Sequence, residues 1–179
     1  MQLDAITAVI LTFDEAPNIG RTLQRLRTLP RVVVVDSFST DGTPEIVRRF
    51  PNAELHQRAF DSHAAQWNHA IGETDIRTPW ILALDADYQL TDAALEEIAR
   101  LEPPSEVAGY ASRFIYCVFG KPLRGTAYPP VTTLFRTGKG RYIQDGHTQR
   151  VLVDGRVESL CARLLHDDRK PLSRWLASQ

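Results

Sequence analysis

Three short apolar runs in the first half of the chain each end on carboxylates. Residues 8–13 precede Asp14 and Glu15, Val32 to Val35 precede Asp36, and residues 80–84 precede Asp85 and Asp87. Continuous β-branched runs separated by segments of helical spacing are the pattern of strands buried on both faces of a parallel sheet. Such a sheet binds its ligand in the crevice at the carboxyl ends of its strands, so these acids are expected to converge there. Gathered carboxylates raise one another's pKa unless a cation neutralises them. A hard divalent ion shared between protein carboxylate and a phosphate group resolves that conflict.

Between the runs the spacing is helical. Residues 17–28 carry Ile19, Leu23 and Leu26 and end at Pro30, and Thr43-Pro44 opens a second helix through Phe50. Residues 53–56 read as a third strand, residues 61–71 as a helix carrying His63, Gln66, Trp67, Asn68 and His69, and residues 91–101 as a helix capped by Thr91 or Asp92. After Pro103-Pro104 the pattern turns β-rich, with strands expected at 110–119, 132–135, 141–143, a hairpin at 151–157 turning on Asp154-Gly155, and a loop at 120–130. The expectation is one α/β domain over residues 1–179. A βα half at 1–104 binds the ligand, and a half at 105–179 shapes the other side of the site.

With 179 residues, 43% hydrophobic and 24% charged, the chain fills one core. A net charge of −1, with no basic stripe interleaved with aromatics, sets nucleic acid aside as a partner. Cys117 and Cys161 lack metal-ligand spacing and fit reduced thiols in the cytosol. The first apolar segment has no basic stretch before it and ends after Phe13, so it reads as a strand and not a signal peptide. No apolar run approaches the roughly 20 residues that span a bilayer, so any membrane contact is expected to be peripheral. Residues 171–179 start a helix that stops within about two turns without a cap, and the native chain is expected to continue beyond Gln179.

Asp85 and Asp87 stand two apart at a strand end, where one can take a metal and the other a ribose or a metal-bound water. Alone, such a pair is common in ordinary loops. Here it follows Thr12-Phe13-Asp14-Glu15 and then the segment from Asp36 to Thr43, and in that order the sequence resembles family 2 glycosyltransferases of the GT-A fold. Those enzymes commonly carry T-[YF]-N-E, D-x-x-S-x-D-G-T and D-x-D segments. Residues 35–41 and 84–87 are most similar to the lipopolysaccharide core glucosyltransferase subgroup. Two positions depart from the pattern: Asp14 replaces a frequent Asn, and Ser37 a frequent second acid.

The resemblance implies a Rossmann-like GT-A domain, with a mixed, mostly parallel sheet, flanking helices and a β-rich acceptor side. It implies inverting transfer of a sugar from a nucleotide-sugar donor to a cell-envelope glycan or lipid-linked saccharide acceptor, with a divalent cation, Mn²⁺ or Mg²⁺. On this resemblance Thr12, Phe13 and Glu15 line a base and ribose pocket, and Asp36 accepts from a uracil imide, which favours UDP. Ser37, Gln66, Asn68 and Asp85 complete the nucleotide set; Asp87, Asp85 and His166 form the metal set. Asn68 falls where the family often has A-R-N near the diphosphate. The arginine position is Trp67, so Gln66, His63 or Arg58 is left to supply the phosphate contact.

Each assignment has a structural competitor. Phe13 serves equally as a core aromatic, and Asp41 reads better as a cap or turn residue before Gly42 than as a ligand. His63 and His69 read first as ordinary helix residues, and His166 competes with a helix cap made by Asp167 or Asp168 ahead of Pro171. Inverting transfer also needs a base for the acceptor hydroxyl. Asp145 is the expected base, with His147 its substitute, although Asp145-Gly146 is equally a turn pair. Arg169, Lys170, Arg174 and Trp175 are a candidate for contact with anionic lipid at the inner face of the cytoplasmic membrane, set against a solvated helix end. A sugar-1-phosphate nucleotidyltransferase would want a glycine-rich basic loop in residues 12–18, and a dinucleotide dehydrogenase G-x-G-x-x-G; both are missing. The non-enzymatic alternative is a GT-A domain that binds without turning over, since fold alone does not fix activity.

Overall fold

The computed structural model describes residues 1–125, 128–146, 148–171 and 173. After a 3-10 turn at Leu3–Ala5 the chain runs β1 (Ile6–Thr12), α1 (Ile19–Arg25), β2 (Arg31–Asp36), α2 (Thr43–Val47), β3 (Ala53–Gln57), α3 (His63–Gly72), β4 (Trp80–Asp85), β5 (Tyr88–Gln89) and α4 (Asp92–Arg100). It continues β6 (Val107–Val118), β7 (Lys121–Pro122), β8 (Val131–Arg136), β9 (Gly140–Asp145), β10 (Thr148–Val153) and β11 (Arg156–His166). The main sheet has the order β3-β2-β1-β4-β8-β6-β11-β5, with β7 beside β6; β9 and β10 form a separate two-stranded hairpin. The β3-β2-β1-β4 block is parallel, β8 joins it antiparallel, and β6 and β11 pair parallel to each other.

Burial on both faces explains the apolar runs. Ile6, Ala8, Ile10, Val32, Val34, Leu82 and Leu84 pack with Ile19, Leu23, Val47 and Ile98 from α1, α2 and α4. The alternate residues Val9, Val33, Val35, Ile81 and Ala83 pack with Ala64, Trp67 and Ala70 of α3. Each fully buried valine contributes roughly 1.5–3 kcal/mol, which fixes the strands more firmly than local propensity does. The Ser62 side chain accepts from Ala65 N at the start of α3, and Thr91 accepts from Ala94 N at the start of α4.

Two expectations need correction. The helices after β1 and β2 are shorter than the spacing suggested, because the residues beyond them close in turns. The strands flanking Asp154-Gly155 do not pair with each other. β10 pairs with β9, Thr148 opposite Asp145, so the hairpin turns at Gly146, which has φ +63. β11 instead lies parallel to β6, because Leu160 and Leu164 bury in the main core while Val151 and Val153 pack with the α3 cluster. Gly155 is required at the switch: φ is +136, and a Cβ there would sit 2.6 Å from that of Ala108.

Candidate functional site

The carboxyl ends of β1, β2 and β4 lie side by side, with Thr12 opposite Asp36 and Leu11 opposite Asp85. The loops leaving β1 and β2 are sewn together. Asp36 is fully buried and accepts from Thr12 Oγ1 (2.9 Å), Ser39 N (2.8 Å), Ser39 Oγ and Gln57 Nε2 (3.4 Å). Its carboxylate is engaged by its own loop, and Asp36 is not among the residues that line the cavity these loops border. Asp41 accepts from Ala16 N, Thr43 N and Thr43 Oγ1, which holds it in the structural role. Asp14 has φ +52, a left-handed conformation that Asn and Asp tolerate best, so Asp in place of the family's Asn preserves the backbone. Ser37 accepts from Gln66 Nε2 at 3.1 Å, and Gln66 in turn accepts from Arg58 Nη1.

These loops border a first cavity of about 380 Å³, whose lining includes Thr12, Phe13, Glu15, Ser37, His63, Gln66, Asp85, Asp87, His166 and Lys170. Of the expected nucleotide set, Thr12, Phe13, Glu15, Ser37, Gln66 and Asp85 come together here. Phe13 is 55% exposed, so it is not a core aromatic. Phe60, 51% exposed, lines the same cavity and meets His63 edge-on at 5.0 Å.

At the floor, His166 Nε2 stands 3.1 Å from Asp87 Oδ2. Asp85 has its pKa pushed up to about 6, first by burial and then by the Asp87 charge, against the lowering effects of the Tyr88 hydroxyl and His166. Burial disfavours protonated His166, but the hydrogen bond and charge of Asp87, with Asp85 and Asp168, leave its pKa above the ordinary value. Among the described residues no three of His, Cys, Asp and Glu are placed to hold a metal ion, so the expected set of Asp85, Asp87 and His166 is not a closed cage. Asp87 and His166 nevertheless fit an ion whose shell is completed by phosphate. Adjacent ligands of an octahedral ion at about 2.1 Å lie about 3.0 Å apart. His166 Nδ1 is also buried without a hydrogen-bond partner among the described residues.

The segment after β11 is fastened to the start of α1. Asn18, fully buried, donates to Glu15 Oε2 and Asp168 Oδ1 (both 2.8 Å) and accepts from Arg21 Nη2 (2.7 Å) and Arg169 N (2.8 Å). Asp167 accepts from Arg21, Arg169 and Gly120 N, and these donors hold its carboxyl below the usual range despite burial. Asp167 and Asp168 are thus fasteners, Asp168 also accepting from Lys170 N, and the helix they were expected to cap lies largely outside the described residues. The fastening delivers Lys170 to the cavity, where its Nζ donates to Glu15 Oε1. Burial raises the pKa of Glu15, against the lowering effect of Lys170 and Asn18.

A second cavity of about 560 Å³ adjoins the first, and the two share Trp67, Asp85 and Gln149. Asp145 lines the second, 57% exposed at the end of β9, with Arg150 Nε 3.3 Å from its Oδ2. His147 lies outside the described residues, as do Arg174 and Trp175. Asn68 does not face the first cavity. It donates to Tyr142 O and accepts from Tyr142 N, both at 2.9 Å, and pins the hairpin to α3 beside the stacked Trp67 and Tyr142 rings. His69 lines neither cavity. Among the described residues no helix is long and apolar enough to cross a membrane.

Residues 7–148 match the sequence model of the family described as Glycosyl transferase family 2. The chain belongs to glycosyl transferase family 2. A lipopolysaccharide core biosynthesis glycosyltransferase, LpsC of Rhizobium meliloti (strain 1021), is 29% identical over 150 residues, covering 76% of this chain and 53% of that protein. An uncharacterized glycosyltransferase of Rickettsia bellii (strain RML369-C) is 34% identical over 94 residues, 52% of this chain and 31% of that protein. The chain thus spans a third to a half of the length of these curated relatives. Among solved structures, S. aureus TarS 1-349 in complex with UDP-GlcNAc superposes with a TM-score of 0.68 over 96% of this chain and 60% of that one, at 16% identity. Mannosyl-3-phosphoglycerate synthase from Rubrobacter xylanophilus gives 0.52 over 62% and 40%, also at 16% identity. The fold is GT-A.

The family 2 match stops before β11, so His166, the fasteners and Lys170 lie beyond it. Sequence reasoning placed His166 but missed Asn18, Lys170 and Phe60 as site residues. Asn18 carried no local signal of this role. It sits at the N-cap position of α1 yet makes no side-chain cap, its donors and acceptor being committed across the fold.

Proposed function

We propose that this family 2 chain is the catalytic domain of a metal-dependent, inverting glycosyltransferase that moves a sugar from a UDP-sugar to a cell-envelope glycan or lipid-linked saccharide. The observation that carries this reading is the meeting of two cavities at Trp67, Asp85 and Gln149: one holds Asp87, His166 and Lys170, the other Asp145. The first is suited to the donor. Phe13 and Phe60 offer exposed faces for a base, Thr12 and Ser37 offer hydroxyls, and Lys170 brings a cation for the diphosphate. Asp36 serves recognition indirectly, by holding Thr12 and Ser39 in place. Asp87 and His166 would hold the divalent cation, which supplies charge stabilisation to a departing diphosphate.

In the second cavity Asp145 takes the proton of the acceptor hydroxyl while that oxygen attacks the anomeric carbon from the face opposite the diphosphate. The bond from that carbon to the diphosphate oxygen breaks, its electron pair leaves with the diphosphate, and Lys170 offsets the charge. Arg150 orients Asp145. The likeness to LpsC supports a cell-envelope acceptor. A glucosyl-3-phosphoglycerate synthase from Mycobacterium tuberculosis, solved with Mn²⁺ and UDP, matches at TM-score 0.50 and 14% identity over 64% of this chain and supports the cation. The site lies on the cytoplasmic side in this reading, where nucleotide-sugars are made. Calorimetric titration with UDP, GDP and dTDP, with Mn²⁺ or chelator, tests it. Metal-dependent preference for UDP is the expected result, and equal binding of all three with chelator present would contradict it.

A further inference from the structure

We propose that the second cavity binds its acceptor by stacking a pyranose ring on an aromatic ladder that ends at Tyr128. This rests on the glycosyltransferase reading and adds what the acceptor side recognises. The ladder is set by strand register. His166 on β11 pairs with Tyr116 on β6 and with Tyr88 on β5, which places three rings across neighbouring strands. Tyr116 and His166 centroids are 4.5 Å apart, and Tyr88 and His166 5.0 Å. Tyr128 extends the row outward, stacked on Tyr116 at 4.9 Å and 27°. The rings therefore run from solvent to the imidazole beside Asp87.

Tyr128 is 69% exposed, so its ring is open to a ligand entering the second cavity, which it lines. It is followed by Pro129 and Pro130, which restrict its backbone and reduce the entropy lost when it takes a ligand. The same cavity is lined by Tyr116 and Tyr128 on one part and by Gln149 and Arg150 on another. A pyranose presents an apolar face of C–H groups and a rim of hydroxyls. Ring faces suit the first, and phenol, amide and guanidinium groups suit the second. An aliphatic lipid tail would want aliphatic walls, which Val131 and Val151 supply only in part. The occupant is therefore a saccharide, held in the cavity that Asp145 also lines.

The test uses the purified 179-residue chain with Mn²⁺ and UDP, titrated with methyl pyranosides of glucose, galactose, mannose and N-acetylglucosamine and followed by saturation-transfer NMR. At least one pyranoside is expected to bind, with transfer strongest at its ring C–H protons. Tyr128→Ala should weaken it about tenfold and Tyr128→Phe by less than about twofold, while UDP affinity stays the same in all three proteins. Equal pyranoside affinity in wild type and Tyr128→Ala, or no pyranoside binding to UDP-loaded protein, overturns the ladder. Pyranoside binding that depends on Tyr128 in a protein that does not bind UDP would keep the ladder and remove the donor reading.

Discussion

The two cavities are built in opposite ways. Around the first, Asp36 and Asn18 are wholly buried and each satisfied by several partners, so the loops after β1 and β2 and the segment after β11 are held before any ligand arrives. Around the second, Asp145 stands more than half exposed at the tip of a hairpin that is no part of the main sheet. That hairpin is tied to α3 through Asn68 and the Trp67–Tyr142 stack. A preorganised side suits a donor whose nucleotide is constant, and an appended side can be rebuilt for different acceptors without disturbing it.

The strongest way to break this contrast is at the floor of the first cavity. Asp87→Ala, or chelator added to wild type, should lower transfer by roughly 10³-fold and abolish metal-dependent UDP binding, with the melting temperature little changed. Asp145→Asn should lower transfer by roughly 10²- to 10⁴-fold and leave UDP affinity intact, since its role belongs to the other side. Normal turnover in that variant would remove Asp145 as base. Asn18→Ala strips four hydrogen bonds from a buried site and should cost about 3 kcal/mol in thermal unfolding, weakening UDP binding as Lys170 loses its anchor. Asn68→Ala should cost about 1–3 kcal/mol and lower transfer without moving UDP affinity.

The smallest effect sits away from both cavities. The hydrogen bonds from Arg31 hold the Glu54 carboxyl below its ordinary value of 4.5. A depressed carboxylate adds stability that is fully present above the unfolded value and lost as pH falls through the folded one. Glu54 is half exposed, so Glu54→Gln should remove less than about 1 kcal/mol at pH 7 and nothing at pH 2 in paired denaturant melts.

The contrast also explains what the sequence made legible. β1, β2 and β4 write themselves as continuous apolar runs because both faces are buried, and their terminal acids mark the ligand edge. The pairing of β11 with β6 is not written locally: Asp154-Gly155 has the chemistry of a hairpin turn, and only the burial of Leu160 and Leu164 in the main core pulls β11 away. Asn68 looked like a ligand because it occupies a motif position, whereas its neighbour Trp67 stacks on Tyr142 and turns the pair toward the hairpin. Lys170 and Asn18 act across about 150 positions of chain, a separation that no window of sequence can display.

Asp87 and His166 would together hold the cation at the junction of the two cavities. Pulsed electron paramagnetic resonance of the Mn²⁺–UDP complex tests it most directly. Coupling to an imidazole nitrogen is expected in wild type and should disappear in His166→Ala. Bound Mn²⁺ with no nitrogen coupling in wild type would contradict it.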